Sequence, residues 1–318
     1  MTARPRLIAV IGPTAVGKTA LAIALAQCFD GEIINADSRQ VYVGMDIGTA
    51  KPTPAEQQAA AHHLIDIRAP DEPLSLGEFL PMAHQRVSDI AGRGKLPILC
   101  GGTGQYVWAL LEGWEVPQVP PDPVYRDTLA RRAASEGTDA LWGELNAQDP
   151  ERAAVTDRQN ARRIIRALEI VHALGGQTPT AGRSSSPPYQ SLLIGLTAER
   201  PALYDRIDTR FDEMMERGLL DEARGLAAQG FSLGEGPLSG VGYSQLGQYL
   251  AGELSLEEAV QRSTTQTHRL VRRQYTWFKP TDERIGWLDA THDLPVSDAC
   301  ERVRDFLRAR APCDTIPH

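Results

Sequence analysis

The sequence predicts an α/β protein, a parallel sheet wound with helices and interrupted by a mainly helical insertion. Short apolar runs at residues 6–11, 32–36, 97–100 and 191–196 each end in glycine or polar residues, and helical stretches separate them. That alternation belongs to a parallel sheet whose ligands lie at the carboxyl ends of its strands. Prolines crowd residues 117–123, and prolines and serines crowd 179–188, which marks two linkers. Between the linkers the periodicity is helical. These observations divide the chain into a first core segment (1–118), a helical insertion (119–190), a core-completing segment ending in helices (191–310) and a short tail (311–318).

In chain order, strand 6–11 runs directly into Gly12, and a helix is expected over 20–27. Within the insertion, residues 160–174 place Ile164, Ile165, Leu168 and Val171 on one helical face. Beyond the strand at 191–196 everything reads as helix. Leu203, Ile207, Phe211 and Met215 recur at spacing four, with Pro201 near the start and Gly218 at the end. Ser255 and Glu258 form a capping box, hydroxyl and carboxylate each satisfying the other's backbone.

Composition excludes several classes. In 318 residues, 33 Lys+Arg face 41 Asp+Glu, a net charge of −8, and 42% of residues are hydrophobic, as in a globular protein. No apolar run approaches the ~20 residues of a membrane span. Arg4 and Arg6 precede only a short apolar stretch, unlike a signal peptide. Cys28, Cys100, Cys300 and Cys313 are far apart, which suggests neither a zinc site nor a disulfide framework. A cytoplasmic protein is expected.

Gly12-Pro13-Thr14-Ala15-Val16-Gly17-Lys18-Thr19 matches the phosphate-loop pattern G-x-x-x-x-G-K-[ST] and sits between a strand and a helix. Glycines let successive N–H groups converge on phosphate oxygens, Lys18 adds charge and Thr19 a hydroxyl for Mg²⁺. The core is therefore expected to be P-loop NTPase-like. Hydrolytic members add an apolar strand ending in a Mg²⁺-binding Asp. Here the candidate strand 97–100 ends in Gly101-Gly102-Thr103-Gly104. That favours a transferase using a diphosphate or triphosphate over an ATPase.

Asp37, at the end of strand 32–36, is placed either to take a proton from an acceptor or to cap a following helix. His62 and His63 point to opposite sides of a strand and lack a third ligand, so a structural role is expected. Among Tyr106, Trp108, Trp142 and Trp277, Tyr106 is the candidate for base stacking, being close to the glycine turn. Positive charge is concentrated. Residues 119–190 balance nine Arg against nine acidic residues, with Arg158, Arg162 and Arg166 at helical spacing. Residues 259–281 hold Arg262, Arg269, Arg272, Arg273 and Lys279 with no acid.

Taken in order, GPTAVGKT (12–19), NADSRQVY (35–42), MDIGTAKP (45–52), HHLIDI (62–67), GGTGQY (101–106), RRIIRALEI (162–170), SGVGYSQ (239–245) and RRQYTWFK (272–279) resemble the tRNA dimethylallyltransferase family. That family prenylates adenosine next to the anticodon. Ser244 departs from its pattern, standing where a longer residue is common. The resemblance implies that residues 14–19 bind the diphosphate of dimethylallyl diphosphate, with Mg²⁺. Asp37 is then the general base at adenine N6, Thr103 helps hold that amine, and Arg273 assists the leaving diphosphate. Ser38, Arg39, Gln40, Arg126 and Arg162-Arg163-Ile164-Ile165-Arg166 lie against the anticodon stem-loop of tRNA. A monomer with no membrane partner is expected. The rival readings are a small-molecule phosphotransferase, an adenylate isopentenyltransferase and a nucleotide-dependent tRNA-binding protein.

Overall fold

The computed structural model describes residues 4–176 and 186–309; the tail from 310 and residues 177–185 of the second linker lie outside them. The chain forms two compact units, one of Met1–Glu112 with Ser186–His318, the other Gly113–Ser185.

The first unit begins β1 (Arg6–Ile11), α1 (Lys18–Phe29), β2 (Gly31–Asn35), α2 (Pro54–Ala59), β3 (His62–His63), α3 (Leu76–Gly92), β4 (Leu96–Gly101) and α4 (Gly104–Glu112). The second unit supplies α5 (Pro123–Glu136), α6 (Thr138–Gln148), α7 (Pro150–Ala154) and α8 (Ala161–Leu174). The first resumes with β5 (Gln190–Thr197), α9 (Arg200–Glu216), α10 (Leu219–Ala228), α11 (Tyr243–Leu250), α12 (Leu256–Trp277), β6 (Ile285–Asp289) and α13 (Val296–Arg308). β5 starts at Gln190, whose N–H donates to the Pro5 carbonyl, so the unit boundary precedes the expected residue 190.

The six strands are all parallel, in the order β3-β2-β4-β1-β5-β6. Ile8, Val10, Ile33, Ile98, Ile194 and Leu196 face a core with Leu21 and Leu25 of α1, Leu203 and Ile207 of α9 and Val303 of α13. Burial of the alternate residues Leu7, Ala9 and Ile11, and of Phe79, Ala83 and Val87 on α3, shows that the opposite face is covered too.

One edge strand departs from the helical reading of the chain beyond residue 196: β6 carries Gly286 and a tryptophan in place of a branched run. The other edge, β3, is the two-residue strand His62–His63. His63 Nε2 donates to Glu32 at 2.7 Å and His62 Nδ1 contacts the Ala60 carbonyl at 2.8 Å, so both histidines are structural. On α9, Leu203, Ile207 and Phe211 are buried, but Met214 rather than Met215 completes the stripe. At about 3.6 residues per turn, spacing four drifts around the helix and a step of three corrects it. Asn160 and Ser255 cap α8 and α12, the latter in the expected box with Glu258.

In the helical unit, Leu129, Leu141, Leu145, Ile164, Leu168 and Val171 form a separate core. Arg158 does not continue the α8 stripe. It precedes the helix, donates to Asp139 at 2.7 Å and lies over the Trp142 ring.

Candidate active site

Three loops leave the carboxyl ends of β2, β4 and β1, which are successive neighbours in the sheet. The β1 loop carries the phosphate-loop motif. Gly12 has φ +141, and a Cβ there would run into the Leu196 carbonyl, so only glycine admits this turn. Gly17 and Ala15 also adopt positive φ, and α1 then starts at Lys18 and Thr19. Lys18 Nζ donates to the Pro13 carbonyl at 2.6 Å. Burial pulls the Lys18 ammonium down to about 8, with Cys100 and Asp37 opposing the shift and Arg210 adding to it. Beside it, burial pushes the Cys100 thiol up to about 12, which removes it as a nucleophile at neutral pH.

Asp37 follows β2. Its N–H donates to Asn35 Oδ1 at 3.0 Å, and its Oδ1 accepts the Arg39 N–H at 2.9 Å. No helix follows among residues 38–52, so Asp37 closes a side-chain turn and caps nothing. The third loop, after β4, carries Thr103. Its N–H donates to the Ala36 carbonyl at 3.2 Å, its hydroxyl oxygen accepts the Ser38 N–H at 2.9 Å and lies 3.2 Å from Ser38 Oγ. Thr103 and Asp37 are thereby held in one frame, with Asp37 acting electrostatically on Lys18, Cys100 and Arg210.

Other expected site residues are placed differently. Gln40 donates its amide to the Thr49 and Ala50 carbonyls at 3.3 and 3.1 Å, and Arg39 donates to the Pro237 carbonyl. Arg273 is exposed on α12. Tyr106 is not a free stacking platform: its ring lies 3.9 Å from that of Phe79 and its hydroxyl donates to the Leu74 carbonyl. In the helical unit, Ile164 is fully buried and Ile165 packs on the same core. Arg126 makes a two-pronged contact with buried Glu169 at 2.7 and 2.8 Å, and Arg166 pairs with the same carboxylate while donating to the Val119 carbonyl at 2.9 Å. Arg162 and Arg163 instead lie exposed in the first turn of α8. There the helix dipole disfavours cations, so their placement does not serve the helix.

Two residues at the centre escaped the sequence reading. Arg210 on α9 is partly buried, and burial lowers its pKa while Glu56, and then Asp37, oppose. Among the described residues no hydrogen bond or ion pair engages its guanidinium. Gln274 is buried on α12, and Thr14 N–H donates to its Oε1 at 2.9 Å while its Nε2 donates to the Gly102 carbonyl at 3.3 Å. The signal for Gln274 was a polar residue in the apolar register of Val271 and Phe278; that for Arg210 was an arginine beside Phe211 of the α9 stripe.

The profile of the IPP transferase family matches residues 40–281. The chain belongs to this family. Among curated relatives, the tRNA dimethylallyltransferase of Roseiflexus castenholzii is 51% identical over 86% of this chain and 89% of its own length. That of Dehalococcoides mccartyi is 42% identical over 95% and 92%. The crystal structure of the tRNA isopentenylpyrophosphate transferase from Bacillus halodurans is similar with TM-score 0.71 and 39% identity, covering 96% of this chain and 97% of that one. A eukaryotic dimethylallyltransferase captured acting on tRNA gives TM-score 0.80 at 27% identity, covering 96% and 80%. The IPP transferase match includes Thr103, Arg210 and Gln274 and begins three residues after Asp37.

Proposed function

We propose that this IPP transferase family member moves the dimethylallyl group of dimethylallyl diphosphate onto N6 of the adenosine 3′-adjacent to the tRNA anticodon, acting as a monomer in the cytoplasm. The observation that carries the reading is the pairing of the Lys18 loop with Asp37 and Thr103 at the ends of three neighbouring strands. All these groups come from one chain, and no described helix is long and apolar enough to cross a membrane.

The chemistry follows from the charges. The C1–O bond of an allylic diphosphate breaks readily because the allyl system spreads the positive charge, and the bonding pair leaves with the diphosphate. Lys18, the loop N–H groups, the α1 dipole and Arg210 face that growing negative charge. Arg273 is the second arginine we assign to the leaving group. As the N6–C1 bond forms, Asp37 takes the N6 proton and the Thr103 hydroxyl holds the amine. Reaching N6 requires the base to leave its stack. We assign Ser38 and Arg39 to that base, Gln40 to the shape of their loop, and Arg162 and Arg163 to the anticodon stem-loop phosphates. Arg126 and Arg166 shape the same surface through Glu169, with Ile164 and Ile165 as its core.

Among the described residues no three His, Cys, Asp or Glu side chains cluster as metal ligands. Mg²⁺ binds through one or two protein oxygens with substrate phosphates and water, and the Thr19 hydroxyl in the first turn of α1 is such a donor. Thr19 would hold it, and when bound it supplies further neutralisation of the diphosphate.

The test is transfer of labelled dimethylallyl diphosphate to tRNA, to adenylate and without acceptor, in parallel, with ATP consumption followed separately. Label is expected in tRNA alone and lost in Lys18→Ala, with no ATP consumed. Label in adenylate, or ATP turnover coupled to a small acceptor, would replace this reading with one of its rivals.

A further inference from the structure

The donor-binding loop and the Thr103 turn leave neighbouring strands that are paired up to Ile11 and Gly101. Beyond the sheet, one side chain bridges them. Gln274, 8% exposed, uses both ends of its amide: Oε1 accepts the Thr14 N–H at 2.9 Å, and Nε2 donates to the Gly102 carbonyl at 3.3 Å. The turn is fitted to α12 at two points. A Cβ on Gly102 would run into Gln274 Nε2, and one on Gly104 would run into the Trp277 ring. Thr103, between those glycines, continues the chain of contacts to Ser38 and so to the Asp37 loop.

We infer that Gln274 is a positioning residue for the transfer reaction, a two-headed strut that fixes the phosphate loop relative to the Thr103 turn and hence the donor carbon relative to the acceptor amine. The inference rests on the transferase reading above. A strut of this kind leaves ground-state binding of each partner largely alone, because neither end is itself a ligand for the substrate. It acts on alignment, where a displacement of about 1 Å can lower a rate by roughly 10²-fold. The Thr14 N–H is already satisfied, so Gln274 holds the leading leg of the loop and leaves the later N–H groups to face phosphate.

The orientation of the amide defines the test. Gln274→Met keeps length and apolar volume but removes donor and acceptor. Gln274→Glu keeps the acceptor for Thr14 N–H, and its carboxyl can donate to the Gly102 carbonyl only when protonated. The measurements are single-turnover transfer to tRNA between pH 5.5 and 8, binding of inorganic pyrophosphate by calorimetry, and melting temperature. Gln274→Met is expected to transfer roughly 10-fold to 100-fold more slowly at every pH. Its pyrophosphate affinity should change by less than about threefold, within the weak end of a single hydrogen bond. Gln274→Glu should be as slow at pH 8 and recover toward wild type, measured at the same pH, as the pH falls.

A merely structural role predicts rates that follow the folded fraction, with no acidic recovery in Gln274→Glu; that result would overturn the inference. So would wild-type rates in both variants. If wild-type protein fails to prenylate tRNA while still binding pyrophosphate, the transferase reading falls and this inference with it. Normal wild-type transfer with unaffected variants overturns the inference alone.

Discussion

At the amino end of β2, the buried Glu32 carboxylate is surrounded by donors: Arg93 at 2.6 Å, His63 at 2.7 Å and Lys95 at 3.2 Å. Five residues further along the same segment, beyond its carboxyl end, Asp37 acts electrostatically on Lys18 and Arg210, and among the described residues neither cation is held in an ion pair. Hydrogen bonds from Arg93, and then from His63 and Lys95, hold the Glu32 carboxyl well below the usual carboxylate range. Lys18, by contrast, is pulled down to about 8 by burial. One end satisfies its charges within the protein and so stabilises it; the other keeps a disfavoured cation that an anionic ligand would relieve. A perturbation working against the charged form, in a loop at a strand's carboxyl end, marks function better than the mere presence of charge.

The contrast predicts opposite responses at the two ends. The largest effect is at Asp37. Asp37→Asn keeps an oxygen for the Arg39 N–H but loses the proton acceptor, so kcat should fall by roughly 10²-fold or more, with the melting temperature near wild type. Thr103→Ala removes neutral hydrogen bonds and should cost up to roughly tenfold. An Asp37→Asn variant with normal single-turnover rates would make the two ends alike.

The next effect is on binding. Lys18 is cationic below about pH 8, so in the ligand-free protein the affinity for dimethylallyl diphosphate should decline as pH rises through that value. The limiting slope is roughly tenfold per pH unit if the cation is required. Calorimetric titration from pH 7 to 9 checks this, and a flat profile would remove Lys18 from diphosphate binding.

Glu32→Gln should do the reverse of Asp37→Asn. It weakens charge-assisted hydrogen bonds to a carboxylate whose side chain is 6% exposed, worth about 1.5–3 kcal/mol, while transfer kinetics stay near wild type. Since the folded pKa of Glu32 lies below the unfolded value of about 4.3, its contribution is complete above that pH and is lost as pH falls. The gap in urea midpoint between wild type and variant should therefore be full at pH 7, begin to narrow by pH 4 and close only as pH falls through the folded value.

The smallest effects separate the arginines of the helical unit. Replacing exposed Arg162 and Arg163 with Ala should reduce the salt slope of tRNA binding by about one to two. Arg126→Ala should instead lower the stability of that unit, because it strips a buried carboxylate of a partner. Equal salt slopes for both would show that pairing with Glu169 does not decide which arginines meet RNA.

What the sequence disclosed follows the same division. The phosphate loop was legible as a local pattern at a strand exit, where the chain must turn in a particular way; Asp37 stood open between base and cap on position alone, and Thr103 was legible only through the family resemblance. Arg210 and Gln274 were not, because their roles come from neighbours more than a hundred residues away in sequence. The arginine stripe misled at Arg158, since helical spacing was counted through Asn160, which caps α8. β6 escaped because Gly286 and Trp287 give no alternating or continuous apolar run; it is a strand because β5 offers it an edge.

The central claim is tested most directly on tRNA itself. Nucleosides from tRNA of a strain lacking this protein are compared with those of the same strain carrying wild-type protein or Asp37→Asn. N6-isopentenyladenosine should be absent without the protein, return with the wild type and remain at most a small fraction of that level with Asp37→Asn. Unchanged isopentenyladenosine in the strain lacking the protein, with no other chain able to supply it, would contradict the account.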